Sequence, residues 1–305
     1  MIMINAESIE NRKTDTYMLV NERTNQKIRT GIIPDTLEKK KKRDKFAKKK
    51  VVNEKFKDFN NEYLGNFVFF IYKNMDLLSE ILTDVELVRY IYLGTYVKYD
   101  GILKLDNNKT IIDKKQMRKL LQIADNKVFN KYYKKLVERD LITETNEGIM
   151  INFAYFYRGS ESEYKKFTGA VEGFDDDFTR LYINTTRELY ESTDNRKKKN
   201  LNIIYKLLPY VNSKFNILCK NPNELDKDEI DPITVGDVMD LLGYDKTNVT
   251  RFKKDFYSIK TSAGYIFKSV EGHEGYLGSM VIVNPRLYYK GDNIEEVNVL
   301  LALFK

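Results

Sequence analysis

Residues 151–159, INFAYFYRG, decide how the fold is read, because their pattern returns at 283–291 as VNPRLYYKG. Each copy has a β-branched residue and an Asn, two variable positions, an apolar residue, two aromatic residues, a cation and a Gly. The copies lie 132 positions apart. Self-similarity of this kind indicates that one structural unit is used twice.

The match extends outward from this pair. Residues 95–98 resemble 209–212, and residues 101–103 resemble 216–218. Further back, residues 66–67 and 177–178 open stretches that we expect to be helical in both copies. The two units would then cover about 67–160 and 178–292.

Length and composition place the chain among soluble globular proteins. A chain of 305 residues with 42% hydrophobic residues can bury a core, and the length favours about two domains. The single cysteine, Cys219, excludes an intramolecular disulfide and a zinc site built on three or four thiolates. The N-terminus lacks the features of a signal peptide, and no apolar run approaches the ~20 residues of a membrane span. We therefore expect a cytoplasmic protein with no membrane partner.

Positive charge is concentrated in one segment. The chain carries a net charge of +7, yet residues 39–57 alone carry eleven basic residues against two acidic ones, a net charge of +9. Such a block suits an exposed arm that meets a polyanion, and the alternative is a solvated linker or helix face. The residues assigned to this basic arm are Lys40, Lys41, Lys42, Arg43, Lys48, Lys49 and Lys50.

The first copy has the order of elements of a winged helix-turn-helix. Spacing predicts an aromatic helix near 66–78, a helix over 84–97 and a short strand at 102–105. Asp113 would cap a helix over 114–123, and a second helix over 126–139 precedes a hairpin over 141–152. Two helices joined by a short turn and followed by a hairpin define that motif.

The second copy repeats this order. The predicted elements are a scaffold helix at 204–210, a strand at 217–218, a helix at 234–242 capped by Thr234, a helix at 246–256 and a hairpin at 265–283. The acidic residues 175–177 are expected to cap a following helix, and 161–177 to set the spacing between the copies.

The predicted fold class is α+β: two tandem winged helix-turn-helix domains, mostly helical with small β-hairpin wings. We expect an N-terminal hairpin near 17–29 and the basic arm within 1–60, the first domain at 61–165 and the second at 166–305.

The second helix of each copy is the candidate DNA reader, because a helix fits the major groove and its outward side chains reach base edges and phosphates. Asn pairs well with adenine and Arg with guanine, while lysines hold the backbone. The alternative is an ordinary exposed helix face. The assigned residues are Asn126, Lys127, Asn130, Lys131, Lys134 and Lys135 in the first copy, and Thr247, Asn248, Thr250, Arg251, Lys253, Lys254 and Arg286 in the second.

The second copy also resembles a known family. Residues 243–252 (GYDKTNVTRF), 283–292 (VNPRLYYKGD) and 301–304 (LALF) resemble the winged-helix plasmid replication proteins of the RepL type and their phage relatives in Firmicutes. The resemblance covers about 195–305, and 85–160 as a diverged copy in which Phe153 replaces the Pro. It implies cytoplasmic, sequence-specific DNA binding in replication or transcription control. The tandem plan is similar to that of iteron-binding plasmid initiators.

The residues favour no catalytic chemistry. The one histidine, His273, lies in a Gly-rich segment, whereas a rolling-circle nickase needs paired metal-binding histidines. Phosphate-binding Gly motifs are missing, and Cys219 follows two apolar residues as packing would require. We expect no enzyme activity, no cofactor and no metal site.

The leading hypothesis is a plasmid or phage replication initiator that binds origin repeats in double-stranded DNA. A transcriptional regulator of a mobile element needs the same helices and hairpins, so the sequence leaves both open. A third candidate is an adaptor that binds a host replication or transcription protein through one copy. RNA binding by the basic arm alone is a fourth, and a second copy of the chain is a further candidate partner.

Overall fold

The computed structural model describes residues 16–21, 26–32, 37–107, 109–160, 163–164, 178–271, 279–291 and 293–304. The described residues form an α+β structure of helices and small antiparallel sheets. The chain divides into two compact units, 1–55 and 56–305.

The N-terminal unit contains a hairpin and most of a long helix. Strands β1 (Thr16–Asn21) and β2 (Gln26–Ile32) pair antiparallel, which confirms the hairpin predicted near 17–29. Helix α1 (Leu37–Phe59) crosses the boundary between the two units. It also contains the basic segment 39–57, which is therefore helical and not an irregular linker.

The C-terminal unit begins with a π-helical turn (Asn60–Leu64) and continues with the first copy, residues 67–160, which we call the first half. Its elements are β3 (Phe67–Ile71), α2 (Met75–Ile81), α3 (Asp84–Gly94), α4 (Lys114–Leu120), α5 (Asn126–Glu138), β4 (Ile142–Thr145), β5 (Gly148–Ile151) and β6 (Phe156–Tyr157).

The second half, residues 178–292, has a similar order of elements. Its elements are β7 (Phe178–Tyr182), α6 (Ile183–Ser192), a 3₁₀ turn (Lys198–Leu201), α7 (Asn202–Lys206), 3₁₀ turns at Leu208–Tyr210 and Lys227–Glu229, α8 (Val235–Leu241), a 3₁₀ turn (Lys246–Asn248), α9 (Val249–Ser258), β8 (Lys260–Thr261), β9 (Gly264–Tyr265), β10 (Phe267–Glu271), β11 (Ser279–Val283) and β12 (Tyr288–Tyr289). Helix α10 (Ile294–Leu303) follows it.

One four-stranded antiparallel sheet joins the halves in the order β12-β7-β3-β6. The central strands come from different halves, with Phe67 opposite Tyr182 and Phe69 opposite Arg180. The outer strands are the aromatic pairs of the two repeated stretches. The repeated stretches at 151–159 and 283–291 therefore supply the two edges of this sheet.

Equivalent hydrogen bonds occur within each of the two halves. In the first half, Leu103 N–H donates to Ile149 O at 2.9 Å, and in the second Leu218 N–H donates to Val281 O at 2.9 Å. The repeated asparagines behave alike, because the Asn152 side chain donates to Asp140 O and that of Asn284 to Tyr265 O, at 2.7 and 2.9 Å. The main-chain bonds tie each hairpin to the isolated bridge before it, at Ile102 in the first half and Ile217 in the second, and the asparagine bonds lie at the base of each hairpin.

A single buried cluster runs through both halves. It includes Val68, Leu93 and Tyr132 of the first half and Leu218 and Phe256 of the second. A second cluster joins Phe56 of α1 to Tyr289 and to Leu300 of α10. The described part of residues 56–305 thus packs as one body.

Three helix predictions were wrong. Residues 67–71, FVFFI, form strand β3, because their backbone pairs with β6 on one side and with β7 on the other. Residues 178–182 likewise form β7, so a strand and not a helix follows the acidic residues 175–177, which lie outside the described residues. The scaffold helix predicted at 204–210 divides into α7 and a 3₁₀ turn with Pro209 in its first positions.

No helix in the described ranges is long and apolar enough to cross a lipid bilayer.

Candidate nucleic-acid interface

Helix α5 is positioned by its cap and by an aromatic inner face. The Asp125 carboxylate accepts hydrogen bonds from Lys127 N at 2.6 Å and Val128 N at 3.2 Å, which fixes where the helix begins. The inner face buries Phe129, Tyr132, Tyr133 and Leu136, as the spacing predicted. The residues opposite that face are exposed: Asn126, Lys127, Asn130, Lys131 and Lys134.

Lys135 does not join this exposed group. Its Nζ lies 2.6 Å from Glu86 Oε2, so its charge is already matched within the first half. Burial opposes ionisation of Glu86, but hydrogen bonds from Lys135 and Thr83 outweigh it and lower the pKa of that carboxyl. Lys134 lies 3.4 Å from Glu138 with both side chains well exposed, an arrangement that a phosphate can displace.

Helix α9 is built in the corresponding way. Asp245 Oδ1 accepts from Thr247 N at 2.8 Å, so a 3₁₀ turn leads into the helix, and Phe252 and Phe256 anchor its inner face. The backbone hydrogen bond from Thr247 lowers the pKa of Asp245. The predicted contact residues Thr247, Asn248, Thr250, Arg251, Lys253 and Lys254 are all exposed.

Among the predicted contact residues of α9, Arg251 forms a weak ion pair and is highly exposed. Its side chain is 84% exposed, and its Nε lies 4.0 Å from Asp255 Oδ2. Such a distant and solvated pair contributes little, so the guanidinium remains available to an incoming acceptor. Arg286 is different: it is half-buried, and its backbone N–H donates to Asn284 Oδ1 at 2.9 Å.

The two hairpins differ in charge. The first carries the exposed acids Glu144 and Glu147, and Glu144 accepts a hydrogen bond from Tyr133 at 2.6 Å. The second carries the exposed Lys268 on β10, whose Nζ donates to Leu303 O at 2.6 Å. Its tip, with His273, lies outside the described residues.

The structure describes little of the basic arm. Its backbone is helical in α1, and Arg43 is exposed. The side chains of Lys40, Lys41, Lys42, Lys48, Lys49 and Lys50 lie outside the described residues.

Several residues at the candidate interface were not predicted. Lys115, Arg118 and Lys119 of α4 line one concave surface with Ala124, the residue before the α5 cap. In the second half, Lys199 lies in the same groove as Asn248 and Arg251. A search for lysines near each reader helix, beyond those on the helix itself, would have found both groups.

An apolar side chain also lies among the exposed residues of α5. Val128 is 49% exposed on the first turn, between Lys127 and Phe129. Apolar contacts of this kind read the methyl group of thymine. Val128 was not among the predicted contact residues, because it is neither charged nor an amide.

Two buried cations hold the halves together. Arg187 of α6 binds both oxygens of Asp106 at 2.7 and 2.8 Å, donates to Thr95 O and lies 3.7 Å from the ring centre of Tyr96. Lys198 is almost fully buried and donates to Gln122 in the turn before α5 at 2.7 Å. Burial, with a further contribution from Arg89, lowers the pKa of Lys198 to about 8.

Aromatic stacking accompanies these cations. The rings of Tyr92 and Tyr190 lie 4.0 Å apart, and Tyr190 donates to Leu121 O at 2.7 Å. Helices α4 and α5 therefore have a fixed position relative to α6 of the other half.

Cys219 is buried, and burial raises the pKa of its thiol to about 11, so it has the character of packing and not of a nucleophile. Within the described ranges, His, Cys, Asp and Glu side chains form no group of three or more that could hold a metal ion.

A scan against protein-family models, a search of curated proteins and a search of solved structures each found no match to this chain.

Proposed function

We propose that residues 61–165 and 166–305 form two winged helix-turn-helix domains and that the chain binds double-stranded DNA in a sequence-specific manner, as a replication initiator of a plasmid or phage. The observation that carries this proposal is the pair of helices α5 and α9, each with an exposed polar and basic face and an aromatic inner face. Each follows a short helix and a turn and precedes a hairpin. This order suits insertion of a helix into a major groove.

The exposed side chains support readout as well as charge attraction. Asn130 and Lys131 in the first half, and Thr250 and Arg251 in the second, occupy corresponding places if the buried Tyr132 and Phe252 are matched. Amide and guanidinium groups form paired hydrogen bonds to adenine and guanine, whereas the neighbouring lysines neutralise phosphates. With roughly 6 to 10 phosphate contacts, the affinity would fall steeply as salt is raised.

The test is selection of bound duplexes from a random pool by the full-length chain, followed by affinity measurements on the selected sequence. Lys127→Glu with Lys131→Glu, and Arg251→Glu with Lys254→Glu, should each weaken binding by roughly 100-fold, because each pair removes contacts worth about 1–3 kcal/mol per residue. The matched control is Lys220→Glu with Lys227→Glu, two exposed loop lysines beside Asp231 and Asp228. Equal binding by all three variants would contradict the proposal.

Footprinting on the element's own DNA separates initiation from regulation. Several tandem sites beside an AT-rich segment support an initiator, and one site over a promoter supports a transcriptional regulator.

The first hairpin favours a second candidate, in which the first half binds a host protein. Glu144 and Glu147 would face phosphates unfavourably if that hairpin lay against DNA. In that case Asn130→Ala with Lys131→Ala would leave DNA affinity unchanged, while Asn248→Ala with Arg251→Ala would abolish it.

A further inference from the structure

The central sheet relates the two halves by an approximate twofold axis. Phe69 pairs with Tyr157 in β6 and with Arg180 in β7, and Arg180 pairs with Tyr289 in β12. Exchanging Phe69 with Arg180 and Tyr157 with Tyr289 leaves this set of pairs unchanged. Two antiparallel strands related in this way have their twofold axis perpendicular to the sheet. Here the axis passes between Phe69 and Arg180.

The backbone bonds that attach each half to the sheet follow the same exchange. Ile71 N–H donates to Tyr155 O at 2.8 Å, and Tyr182 N–H donates to Leu287 O at 2.9 Å. The scaffold elements agree with the axis as well, since α3 packs against the 3₁₀ turn at Lys198–Leu201 and against α7, which occupy the place of α3 in the second half. The relation therefore extends beyond the sheet strands.

The same axis must relate α5 to α9, because each helix has the same place within its half. Tyr132 and Leu136 correspond to Phe252 and Phe256 on the inner faces. A twofold rotation places both helices at the same height along the axis, and it makes them run in opposite directions on the two sides of it. Two helices related by a translation along DNA would instead run in the same direction.

We infer that the chain, as a single copy, recognises an imperfect inverted repeat and not a direct repeat. This inference rests on the proposed DNA binding and specifies the arrangement of the site. The two half-sites face each other across a centre, because a protein with twofold symmetry matches the twofold axes of the duplex. Their centres lie about 10 bp apart or a multiple of that. The repeat is imperfect because Asn130 and Lys131 stand where the other helix has Thr250 and Arg251.

The buried contacts between the halves make this arrangement rigid. Arg187, Lys198 and the Tyr92–Tyr190 stack leave no hinge in the described part of this junction. The chain therefore has no means of turning one helix around to accept a direct repeat, as two domains on a flexible linker would.

Cleavage of DNA by a tethered iron chelate tests the orientation directly. Cys219 is buried, so a cysteine added at the surface can be labelled selectively in the full-length chain. The four added sites mark both ends of each helix: Ala124→Cys and Glu138→Cys for α5, and Lys246→Cys and Ser258→Cys for α9. All four positions are exposed.

The expected cleavage order along the selected duplex is a mirror pattern, with the Ala124 and Lys246 labels both nearest the centre or both farthest from it. The order Ala124, Glu138, Lys246, Ser258 would overturn the inference while leaving DNA binding intact. Cleavage from one helix only would overturn it too. An absence of any footprint by the unlabelled chain would instead remove the proposed function. A labelled variant that loses the footprint is replaced by Arg139→Cys or Lys260→Cys, which are also exposed.

A second measurement uses the selected sequence itself. Reversing the orientation of one half-site should lower the affinity at least tenfold, about what one mismatched base pair costs. Equal affinity for both orientations would contradict the inverted arrangement.

Discussion

The first and second halves of the C-terminal unit agree in their backbone and differ on their surfaces. The same main-chain bonds connect the small strand to the hairpin, and the same Asn side chain closes each hairpin. In contrast, helices α5 and α9 have different outward residues, and only the first hairpin has exposed acids within the described residues. The difference shows which part of a duplicated unit is constrained: buried polar backbone must be satisfied in both copies, whereas exposed side chains are free to change.

The largest expected loss of stability concerns Arg187 of α6, a residue without a buried counterpart in the first half. Arg187→Met should destabilise the protein by about 3 kcal/mol, because buried Thr95 loses its donors and Tyr96 loses the stacked cation. The melting temperature should fall by roughly 6 to 12 °C. The corresponding residue of α2 is Asp76, which is exposed, so Asp76→Asn should change stability by less than about 0.5 kcal/mol. Similar losses in both variants would contradict this assignment.

The repeated glycines should give matched losses. A Cβ added at Gly159 would lie 2.6 Å from Tyr157 Oη, and one added at Gly291 would clash with Tyr289 Oη. Gly159→Ala and Gly291→Ala should each cost about 1–3 kcal/mol in denaturant unfolding, because both tyrosines are buried. Gly236→Ala in α8 is the control, and it should be neutral or stabilise by up to about 1 kcal/mol. A loss in only one of the two repeated positions would break the equivalence.

The helix caps should give smaller and similar losses. Asp125→Ala and Asp245→Ala should each cost about 1 kcal/mol. Asp125 accepts hydrogen bonds from the first turn of α5, and Asp245 accepts one from the 3₁₀ turn that leads into α9. Asparagine at either position should restore most of the stability, because its side-chain oxygen can accept the same bonds. If Asn and Ala variants unfolded alike at both positions, the capping explanation would be wrong.

The smallest expected effect at pH 7 is that of Lys198→Met, because the cost of burying the charge offsets the bond to Gln122. The folded-state pKa of about 8 lies below the ordinary 10.5. Between these two values the unfolded chain holds a proton that the folded chain has released, so this group stabilises the fold increasingly as the pH rises. The wild type should therefore gain stability relative to the Met variant from pH 8 to 10.5. A constant difference in unfolding free energy would refute the low pKa.

The sequence predicted the repeated unit better than the way the units join. Helix α5 and its inner face followed from the spacing of Phe129, Tyr132, Tyr133 and Leu136. The caps of α4 and α8 followed from Asp113 and Thr234, whereas the Asp125 cap of α5 was not predicted. The strand pairs β4–β5 and β10–β11 also followed, whereas the strands predicted at 102–105 and 217–218 form only isolated bridges. Local periodicity carries this information because each element buries one face.

The central sheet could not be predicted in the same way. FVFFI at 67–71 has aromatic residues at a spacing that fits a helix as well as a strand, and only its partner strand 111 positions later decides between them. The ion pair of Lys135 with Glu86 could not be predicted for the same reason, since those residues lie far apart in the chain. The spacing within α5 places Lys135 on the outward face, but it carries no information about Glu86 on α3. DNA binding and the domain boundaries at 60 and 165 stay predictions.

The order in which the sheet is completed has a consequence for biosynthesis. Strand β3 leaves the ribosome more than 100 residues before its neighbour β7. Until then the nascent first half presents an unpaired edge rich in Phe, the kind of surface that promotes aggregation. The first half cannot complete its fold co-translationally by itself, and a fragment ending at residue 160 should self-associate through that edge.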